Sequence, residues 1–362
     1  KKAEKIRIGY VSDCFHWHSV GMIFLDWIKH FQKQDFKIYC YYINNQIDQV
    51  TEEFQKYSNY FHHIPNNLAA LCQQIITDKL HIIVFLDIGM TAQMAQLAAL
   101  RLAPVQCAAW GHPVTTGLPT IDYYLSADLI EPENAQKHYS EQLIRLPNIG
   151  ISYSNPQISA ITKTRLDFQL QEDAVVYLSC QSLFKYLPQY DYIFPTIAQQ
   201  VPHSQFVFIA HTTEQITEQF RQRLQQEFTK FDLNIEDYCV ILPRQNQQDY
   251  RQLNLLADIF LDTIGFTGFL TTLESIACNL PVVTCVGELM RSRQTYGILK
   301  MMGLTDTIAK SPAEYIQIAV KLGLHPQGRQ KIVEQIKHYQ RFLYNDRTCI
   351  AALEQFYRSV IL

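Results

Sequence analysis

Short apolar runs alternate along this chain with longer segments in which only every third or fourth residue is apolar. The short runs predict ten strands, at residues 5–12, 36–43, 81–88, 105–110, 123–126, 174–180, 205–211, 239–242, 259–264 and 281–286. Many of these runs are apolar on both faces, which is typical of strands buried between two layers of helices. The longer segments predict amphipathic helices, among them residues 68–79, 190–200, 214–230 and 250–257.

Strands and helices that alternate in this way predict an α/β fold with parallel, doubly wound sheets. The alternation stops once, between residues 148 and 171, where Asn155-Pro156 and a Ser-, Gln- and Thr-rich stretch carry no strand pattern. We therefore predict a Rossmann-like domain at residues 1–150, a linker at 151–172 and a second Rossmann-like domain at 173–327. The tail at 328–362 is predicted to be helical and to pack back across the domains.

The length of 362 residues also favours two domains, because single cores rarely grow that large. Charged residues make up 18% of the chain and the net charge is −3, so there is no basic excess to hold nucleic acid. The nine cysteines form no CxxC pair, which disfavours a zinc site or a disulfide framework. No run approaches the roughly 18 apolar residues of a membrane span, and no signal peptide precedes the first strand. We expect a cytoplasmic protein with neither nucleic acid nor membrane as a partner.

In doubly wound folds the ligand binds at the carboxyl ends of the strands, here expected in a cleft between the two domains. No GxGxxG follows the first strand, where Gly9-Tyr-Val-Ser12 continues into Asp13-Cys-Phe-His16. A dinucleotide-dependent dehydrogenase is therefore disfavoured.

A strand, a glycine-containing loop and a helix follow one another over residues 257–287. Gly265 and Gly268 would let the loop backbone approach a ligand closely. A helix that opens at Thr271 would present N–H groups and a positive dipole end to a phosphate. Glu274 would lie one turn further on. An alternative needs no ligand, because Thr271-x-x-Glu274 also matches a capping box.

The same segment resembles the donor-binding region of glycosyltransferase family 41, the O-GlcNAc transferase and SPINDLY family. The matching stretches here are Asp262-Thr-Ile-Gly-Phe-Thr-Gly268, Leu270-Thr-Thr-Leu-Glu-Ser-Ile276 and Leu280-Pro-Val-Val-Thr284. Three other regions match in the same chain order: Gly9-Tyr-Val-Ser-Asp13 with His18-Ser-Val-Gly21, Leu102-Ala-Pro-Val-Gln106 with Trp110-Gly-His-Pro113 and Thr116-Gly117, and Val176-Tyr-Leu-Ser-Cys-Gln-Ser-Leu-Phe-Lys185. The resemblance spans essentially the whole chain and is nearest to SPINDLY-like and bacterial members.

The resemblance implies a GT-B fold and inverting transfer of a sugar from a nucleoside diphosphate to Ser or Thr hydroxyls of a protein acceptor. Lys185 is implied to stabilise charge on the β-phosphate as the sugar–oxygen bond breaks. Without the resemblance, a lysine at a strand end is usually a solvated surface charge. We see no Asp-x-Asp motif in a strand-end loop, since Asp258 and Asp262 bracket an apolar strand. No metal and no cofactor are therefore expected.

His18 is implied to be either the general base or a residue that positions the donor, since imidazole titrates near neutral pH. A lone loop histidine is otherwise structural or solvated. Gly111 and His112 belong to the loop that resembles the acceptor side of the family site. A turn-forming role is the alternative for His112.

The resemblance also implies the donor contacts. The diphosphate would meet Gly268, Phe269, Leu270, Thr271 and Thr272, and Glu274 would bind the ribose hydroxyls. Tyr250 would stack near the nucleobase, with ordinary helix packing as its alternative. Gln245 and Gln247 could meet the edge of the base through their amides.

This chain departs from relatives at Phe269 and Leu270, which stand where small or polar residues are usual, and at Ser182, which replaces a longer amide. UDP-GlcNAc is the expected donor, and UDP-glucose and GDP-fucose are the alternatives. Two other functions stay open, a GT-B-shaped sugar-nucleotide epimerase and a catalytically weak nucleotide-sugar-binding scaffold. The chain shows no internal repeat of 30 to 50 residues.

Overall fold

The structure is a computed structural model that describes residues 4–361. The chain divides into two compact units, the first formed by Lys1–Ser154 with Asn345–Leu362 and the second by Asn155–Tyr344. Residues 1–3 and 362, which belong to the domain ranges predicted from sequence, lie outside the described residues. The boundary between the units falls inside the segment predicted as linker, and residues 155–172 belong to the second unit.

The first unit is built on one parallel sheet, flanked by helices. Its elements, within the described residues, are β1 (Ile6–Ser12), α1 (Ser19–Lys29), β2 (Phe36–Tyr42), α2 (Gln49–Tyr57), β3 (Tyr60–His63), α3 (Leu68–Asp78), β4 (Ile82–Phe85), α4 (Ala92–Ala98), β5 (Val105–Ala109), β6 (Tyr123–Ala127) and β7 (Gln142–Leu146). The strand order is β3-β2-β1-β4-β5-β6-β7. The loops after β1, β4 and β5 therefore meet at one edge of the sheet.

Helix α1 follows from its sequence pattern. Val20, Ile23, Phe24 and Trp27 recur at helical spacing and are buried. The Trp27 indole N–H donates to the Gly150 carbonyl at 2.9 Å, which fixes the helix against the end of the sheet. This anchor holds the loop that leads into the helix.

The helical tail is shared between the two units. Helix α11 (Pro326–Tyr339) belongs to the second unit, whereas α12 (Thr348–Ser359) belongs to the first. Tyr357 of α12 is buried and its hydroxyl lies 3.0 Å from that of Tyr10 in β1 of the first sheet. The chain thus returns to the first unit through residues 345–361.

The second unit repeats the same architecture on a separate parallel sheet. Its elements before α11, within the described residues, are β8 (Val175–Leu178), α5 (Ile193–Gln200), β9 (Ser204–Ile209), α6 (Glu214–Lys230), β10 (Cys239–Leu242), α7 (Gln247–Leu256), β11 (Ile259–Leu261), α8 (Leu270–Ala277), β12 (Val282–Cys285), α9 (Gln294–Met301), β13 (Ile308–Ala309) and α10 (Pro312–Leu324). The strand order is β10-β9-β8-β11-β12-β13. The loops after β8 and β11 are neighbours at the carboxyl edge.

Buried aromatic side chains pack beneath that edge. Tyr186, Phe194, Phe208 and Phe220 form edge and tilted ring contacts with centroids 4.9–6.4 Å apart. Aromatic pairs in such arrangements favour fixed geometries over fluid packing. The core therefore gives the loop after β8 a rigid support.

All ten predicted strands are present, but within residues 4–361 sequence analysis missed three others: β3, β7 and β13. Each of the three lies at an edge of its sheet and is only partly buried. An edge strand lacks the continuous apolar pattern of a strand buried on both faces. The prediction of an α/β fold with parallel sheets is confirmed.

No helix within residues 4–361 is long and apolar enough to cross a membrane.

Candidate functional site

Lys185 lies in the short loop helix Leu183–Lys185, which follows β8 at the carboxyl edge of the second sheet. Its ammonium donates to the Thr267 carbonyl at 3.2 Å and to Gln181 Oε1 at 3.4 Å, and it sits 4.4 Å from the centre of the Phe266 ring. Burial lowers the pKa of Lys185 to about 8, although the charge of Asp262 opposes the shift. The hypothesis of a solvated surface charge is therefore wrong.

Asp262 organises the loop that Lys185 contacts. Its Oδ1 accepts from the Gly268 N–H at 2.8 Å and from the Thr263 N–H at 3.0 Å, and Oδ2 accepts from the Thr284 hydroxyl at 2.8 Å. Burial raises the pKa of Asp262 to about 6. Sequence analysis gave this residue no role beyond ending a strand and opening the stretch that resembles the family, yet its carboxylate closes the loop from 262 to 268.

Gly268 ends that loop at a point where a side chain would not fit. A Cβ at this position would overlap Gln181 Nε2 and Thr271 Oγ1. At position 265, by contrast, glycine is required because the backbone φ is +90°, a conformation that other residues rarely adopt. The two glycines thus serve different purposes.

Helix α8 begins at Leu270, one residue earlier than predicted, with Phe269 as its N-cap. No side chain caps this end, so the capping-box interpretation of Thr271 and Glu274 is wrong. The N–H groups of the first turn then depend on water or a ligand. The Thr272 hydroxyl is fully buried and lies 2.7 Å from that of Thr295, so its side chain supports the loop.

The two bulky residues at the start of α8 differ in exposure. Phe269 is only 7% exposed, and Leu270 is half-buried. The bulk of the Phe269 side chain is therefore shielded from solvent.

Glu274 lies in the second turn of α8, where it forms a two-point ion pair with Arg251 of α7. The Arg251 Nε donates to Oε2 at 2.8 Å and Nη2 donates to Oε1 at 3.2 Å. Arg251 was not among the predicted site residues. Its signal in the sequence was weak, because the partners are separated by 23 positions that include a whole strand and loop.

The residues predicted near the nucleobase lie at the start of α7. Asn246 caps the helix, Gln247 is its first residue, and the Gln245 amide donates to the Pro243 carbonyl at 2.7 Å. Tyr250 is half-buried, and its hydroxyl is buried without a hydrogen-bond partner among the described residues. Burial raises the pKa of Tyr250 well above its usual value. Ser182 is exposed beside the Lys185 loop helix.

His18 is the N-cap of α1 in the first unit. The Val20 N–H donates to its Nδ1 at 3.2 Å, so the neutral ring carries its proton on Nε2. Burial, with a smaller contribution from His16, lowers the pKa of His18 to about 4. The ring is therefore a neutral hydrogen-bond donor at pH 7. This favours the positioning role for His18 over the role of general base.

Gly111 and His112 follow β5 at the same edge of the first sheet as His18. A Cβ on Gly111 would overlap the Leu86 carbonyl, so only glycine fits there. The His112 carbonyl accepts from the Tyr124 hydroxyl at 3.0 Å. Asp87, after β4, is fully buried and receives the Ser12 hydroxyl and the Asp13 N–H, both at 3.0 Å, on Oδ2. Burial raises the pKa of Asp87 to about 7.

The second unit thus brings Lys185, Gly268 and Thr271 together, with Glu274 further along α8. The first unit places the His18 and Gly111 loops at one edge, where a Cβ on Gly111 would lie 3.1 Å from Val20 of α1. No group of three or more potential metal ligands occurs among the residues that the structure describes.

Comparison with known proteins identifies relatives. The glycosyl transferase family 41 model matches residues 1–152 and 151–351. A probable UDP-N-acetylglucosamine–peptide N-acetylglucosaminyltransferase SPINDLY from Solanum lycopersicum is 29% identical over 87% of this chain and 34% of its own length. The corresponding protein of Arabidopsis thaliana is 28% identical over 98% of this chain and 39% of its own length. The chain therefore spans about a third to two fifths of these relatives.

The fold agrees with a solved relative. An O-GlcNAc transferase mutant from Thermobaculum terrenum superposes with a TM-score of 0.88 at 24% identity, covering 100% of this chain and 68% of the other. This similarity confirms the GT-B class for the fold. Because the family model matches nearly the whole length, the chain belongs to glycosyl transferase family 41, the O-GlcNAc transferase and SPINDLY type.

Proposed function

We propose that this chain is an inverting glycosyltransferase that moves a sugar from a nucleoside diphosphate to Ser or Thr hydroxyls of a protein. The observation that carries the proposal is the environment of Lys185. Within residues 4–361, the groups in direct contact with its ammonium are a carbonyl, an amide oxygen and an aromatic ring, all of them neutral, and the nearby Asp262 carboxylate offsets only part of the effect of burial on its pKa. Burying a cation among neutral partners is costly unless an anion joins it.

A diphosphate is the anion that fits this environment. The uncapped start of α8 offers backbone N–H groups and a positive dipole end a few residues from Thr267, which binds Lys185. The absence of a Cβ at Gly268 keeps the loop backbone open to close approach. These N–H groups would hold the diphosphate, which every nucleoside diphosphate sugar carries.

The reaction would be a direct displacement. The acceptor oxygen bonds to the anomeric carbon as the bond from that carbon to the β-phosphate oxygen breaks, and the hydroxyl proton passes to solvent. The charge that develops on the departing diphosphate is stabilised by the Lys185 ammonium and the helix start. In its positioning role, His18 would donate a hydrogen bond from Nε2 to the nucleotide sugar. The Glu274 carboxylate would accept hydrogen bonds from the ribose hydroxyls.

UDP-GlcNAc is the donor that the names of the relatives support. UDP-glucose and GDP-fucose are the alternatives, because the proposed contacts involve the diphosphate and the ribose but not the transferred sugar. The Gln245, Gln247 and Tyr250 side chains at the start of α7 are the candidates for distinguishing uracil from guanine.

Transfer from each radiolabelled donor to protein in a cell lysate tests the proposal, with Lys185→Met beside the wild type. We expect one donor to label protein, and Lys185→Met to lower labelling at least about 100-fold, the scale of losing one charge-stabilising contact. Lys300→Met, which removes an exposed lysine of the same unit, is the matched control. Labelling should persist in excess EDTA.

If Lys185→Met labels as well as Lys300→Met, the proposed role of the lysine is wrong. If the wild type binds a nucleotide by calorimetry but transfers no sugar, the scaffold hypothesis replaces the enzyme.

A further inference from the structure

A buried glutamine joins the functional groups of the second unit, and sequence analysis did not single it out. Gln181 is 5% exposed and lies between β8 and Lys185. Its Oε1 accepts from Lys185 Nζ at 3.4 Å, and its Nε2 donates to Thr271 Oγ1 at 2.8 Å. Nε2 also lies 3.5 Å from Asp262 Oδ1. One amide therefore connects the cation, the helix start and the loop-closing carboxylate.

Both the backbone and the side-chain amide of Gln181 are held by neighbouring groups. The backbone N–H of Gln181 donates to the Tyr186 hydroxyl at 3.2 Å, and that hydroxyl donates to the Ser179 carbonyl at 2.6 Å. On the other side, the amide nitrogen occupies the space that a Cβ on Gly268 would need. The position of this side chain is thus set by both neighbouring loops.

The direction of each hydrogen bond determines what the bonded groups can do. Because Nε2 donates to Thr271 Oγ1, it occupies an acceptor position of that hydroxyl and turns the hydroxyl proton away from Gln181. Because Oε1 accepts one of the three N–H bonds of the ammonium and Thr267 accepts another, the direction of the third is fixed. The Thr271 hydroxyl can then present its O–H, and the Lys185 ammonium its third N–H, as donors to a ligand.

We propose that Gln181 is a positioning residue that orients Lys185 and Thr271 as a pair of donors for the diphosphate of a nucleotide sugar. The inference rests on the proposed function and deepens it. A neutral amide suits this role, because a carboxylate here would pair with Lys185 and compensate the charge meant for the diphosphate.

Three variants test the assignment. Gln181→Met keeps the length of the side chain but removes both hydrogen bonds, and Gln181→Glu places a negative charge beside the ammonium. Gln205→Met is the matched control, since Gln205 is 6% exposed in the same unit and bonds the Gln171 N–H, away from the site. Calorimetry with UDP and with GDP measures affinity, and competitive acetylation followed by peptide mass spectrometry measures the pKa of Lys185.

We expect Gln181→Met to weaken binding of the preferred nucleotide about tenfold, or about 1.4 kcal/mol, and Gln205→Met to leave it unchanged. Gln181→Glu should also weaken binding and should raise the pKa of Lys185, because the nearby anion favours the charged amine. The acetylation measurement needs no nucleotide and therefore tests the contact with Lys185 by itself.

Equal nucleotide affinity in Gln181→Met and the wild type would overturn the positioning role while leaving the proposed function intact. An unchanged pKa of Lys185 in Gln181→Glu would overturn it as well. A wild type that binds neither nucleotide would overturn the proposed function together with this inference.

Discussion

At the scale of single residues, burial decides the chemistry of the candidate site. Lys185 and His18 are both half-buried, and burial favours the neutral form of each. The consequences differ because the usual pKa values differ. At pH 7 His18 is neutral, whereas Lys185, with a pKa of about 8, is still mostly charged.

The first prediction concerns the pH dependence of nucleotide binding. The diphosphate prefers the charged amine, so affinity for the preferred nucleotide should fall as the pH rises through about 8. Calorimetry between pH 6.5 and pH 9.5 measures this. Lys185→Arg should remove the alkaline decline, because a guanidinium stays protonated throughout that range. A decline that persists in Lys185→Arg would assign the titration to another group.

At the scale of elements, α7 and α8 act together. The Arg251–Glu274 ion pair joins them, and α8 also carries the uncapped start that faces the loop from 262 to 268. Because Glu274 does not cap its helix, we expect its effect on stability to come from the ion pair with Arg251, whereas its proposed effect on binding is a direct contact with the ribose.

The second prediction separates those effects. Glu274→Gln should lower nucleotide affinity by roughly 1.5–3 kcal/mol, the range for hydrogen bonds to charged groups. It should also lower the melting temperature, because Arg251 loses the carboxylate that compensates its charge. Arg251→Gln should lower the melting temperature with a smaller loss of affinity, since the carboxylate remains. Calorimetry and thermal unfolding of both variants provide the comparison. Lower stability with unchanged affinity in Glu274→Gln would make the pair purely structural.

The third prediction concerns Phe269 and Leu270 at the start of α8. In the proposed site, backbone N–H groups would bind the diphosphate whatever the side chains are, provided that neither is proline. Replacing Phe269 by Gly and Leu270 by Asn should therefore change which sugar is accepted and keep nucleotide affinity within about tenfold, or roughly 1.4 kcal/mol. The double variant should lose stability, because Phe269 is buried. Tight nucleotide binding by the double variant alone would mean that the natural pair blocks the site.

At the scale of the whole molecule, each unit has its own parallel sheet and its own fully buried carboxylate at the carboxyl edge. These are Asp87 after β4 and Asp262 after β11, and burial raises both pKa values. Such groups hold a proton in the folded state that the unfolded chain has already released.

The fourth prediction follows from this difference in proton binding. The stabilising contribution of Asp87 is complete below the unfolded pKa of about 4 and is lost as the pH rises through about 7. Asp87→Asn cannot lose a proton, so its melting temperature relative to the wild type should rise between pH 4 and pH 8. Glu133→Gln, at an exposed position of the same unit, is the control. A constant difference across this range would show that the pKa of Asp87 in the folded protein is not raised above its value in the unfolded chain.

The sequence by itself determined the fold class, the ten strands whose runs are apolar enough to recognise, and the segments that carry Lys185, Gly268 and Glu274. These features depend on local periodicity and on motifs contained within a few residues of one another. The edge strands β3, β7 and β13 were not predicted, because partial exposure weakens the apolar pattern of their residues.

Only the tertiary structure decided how the side chains of the site are paired. Gln181 and Thr271 are 90 residues apart, and Arg251 and Glu274 are 23 apart. Neither contact produces a periodic pattern in the sequence, since each depends on how separate loops and helices meet at a sheet edge. Burial of Lys185, the tautomer of His18 and the uncapped start of α8 are likewise consequences of packing. For this reason the sequence located the segments that carry the candidate site, whereas the fold determined which of their atoms donate and which accept.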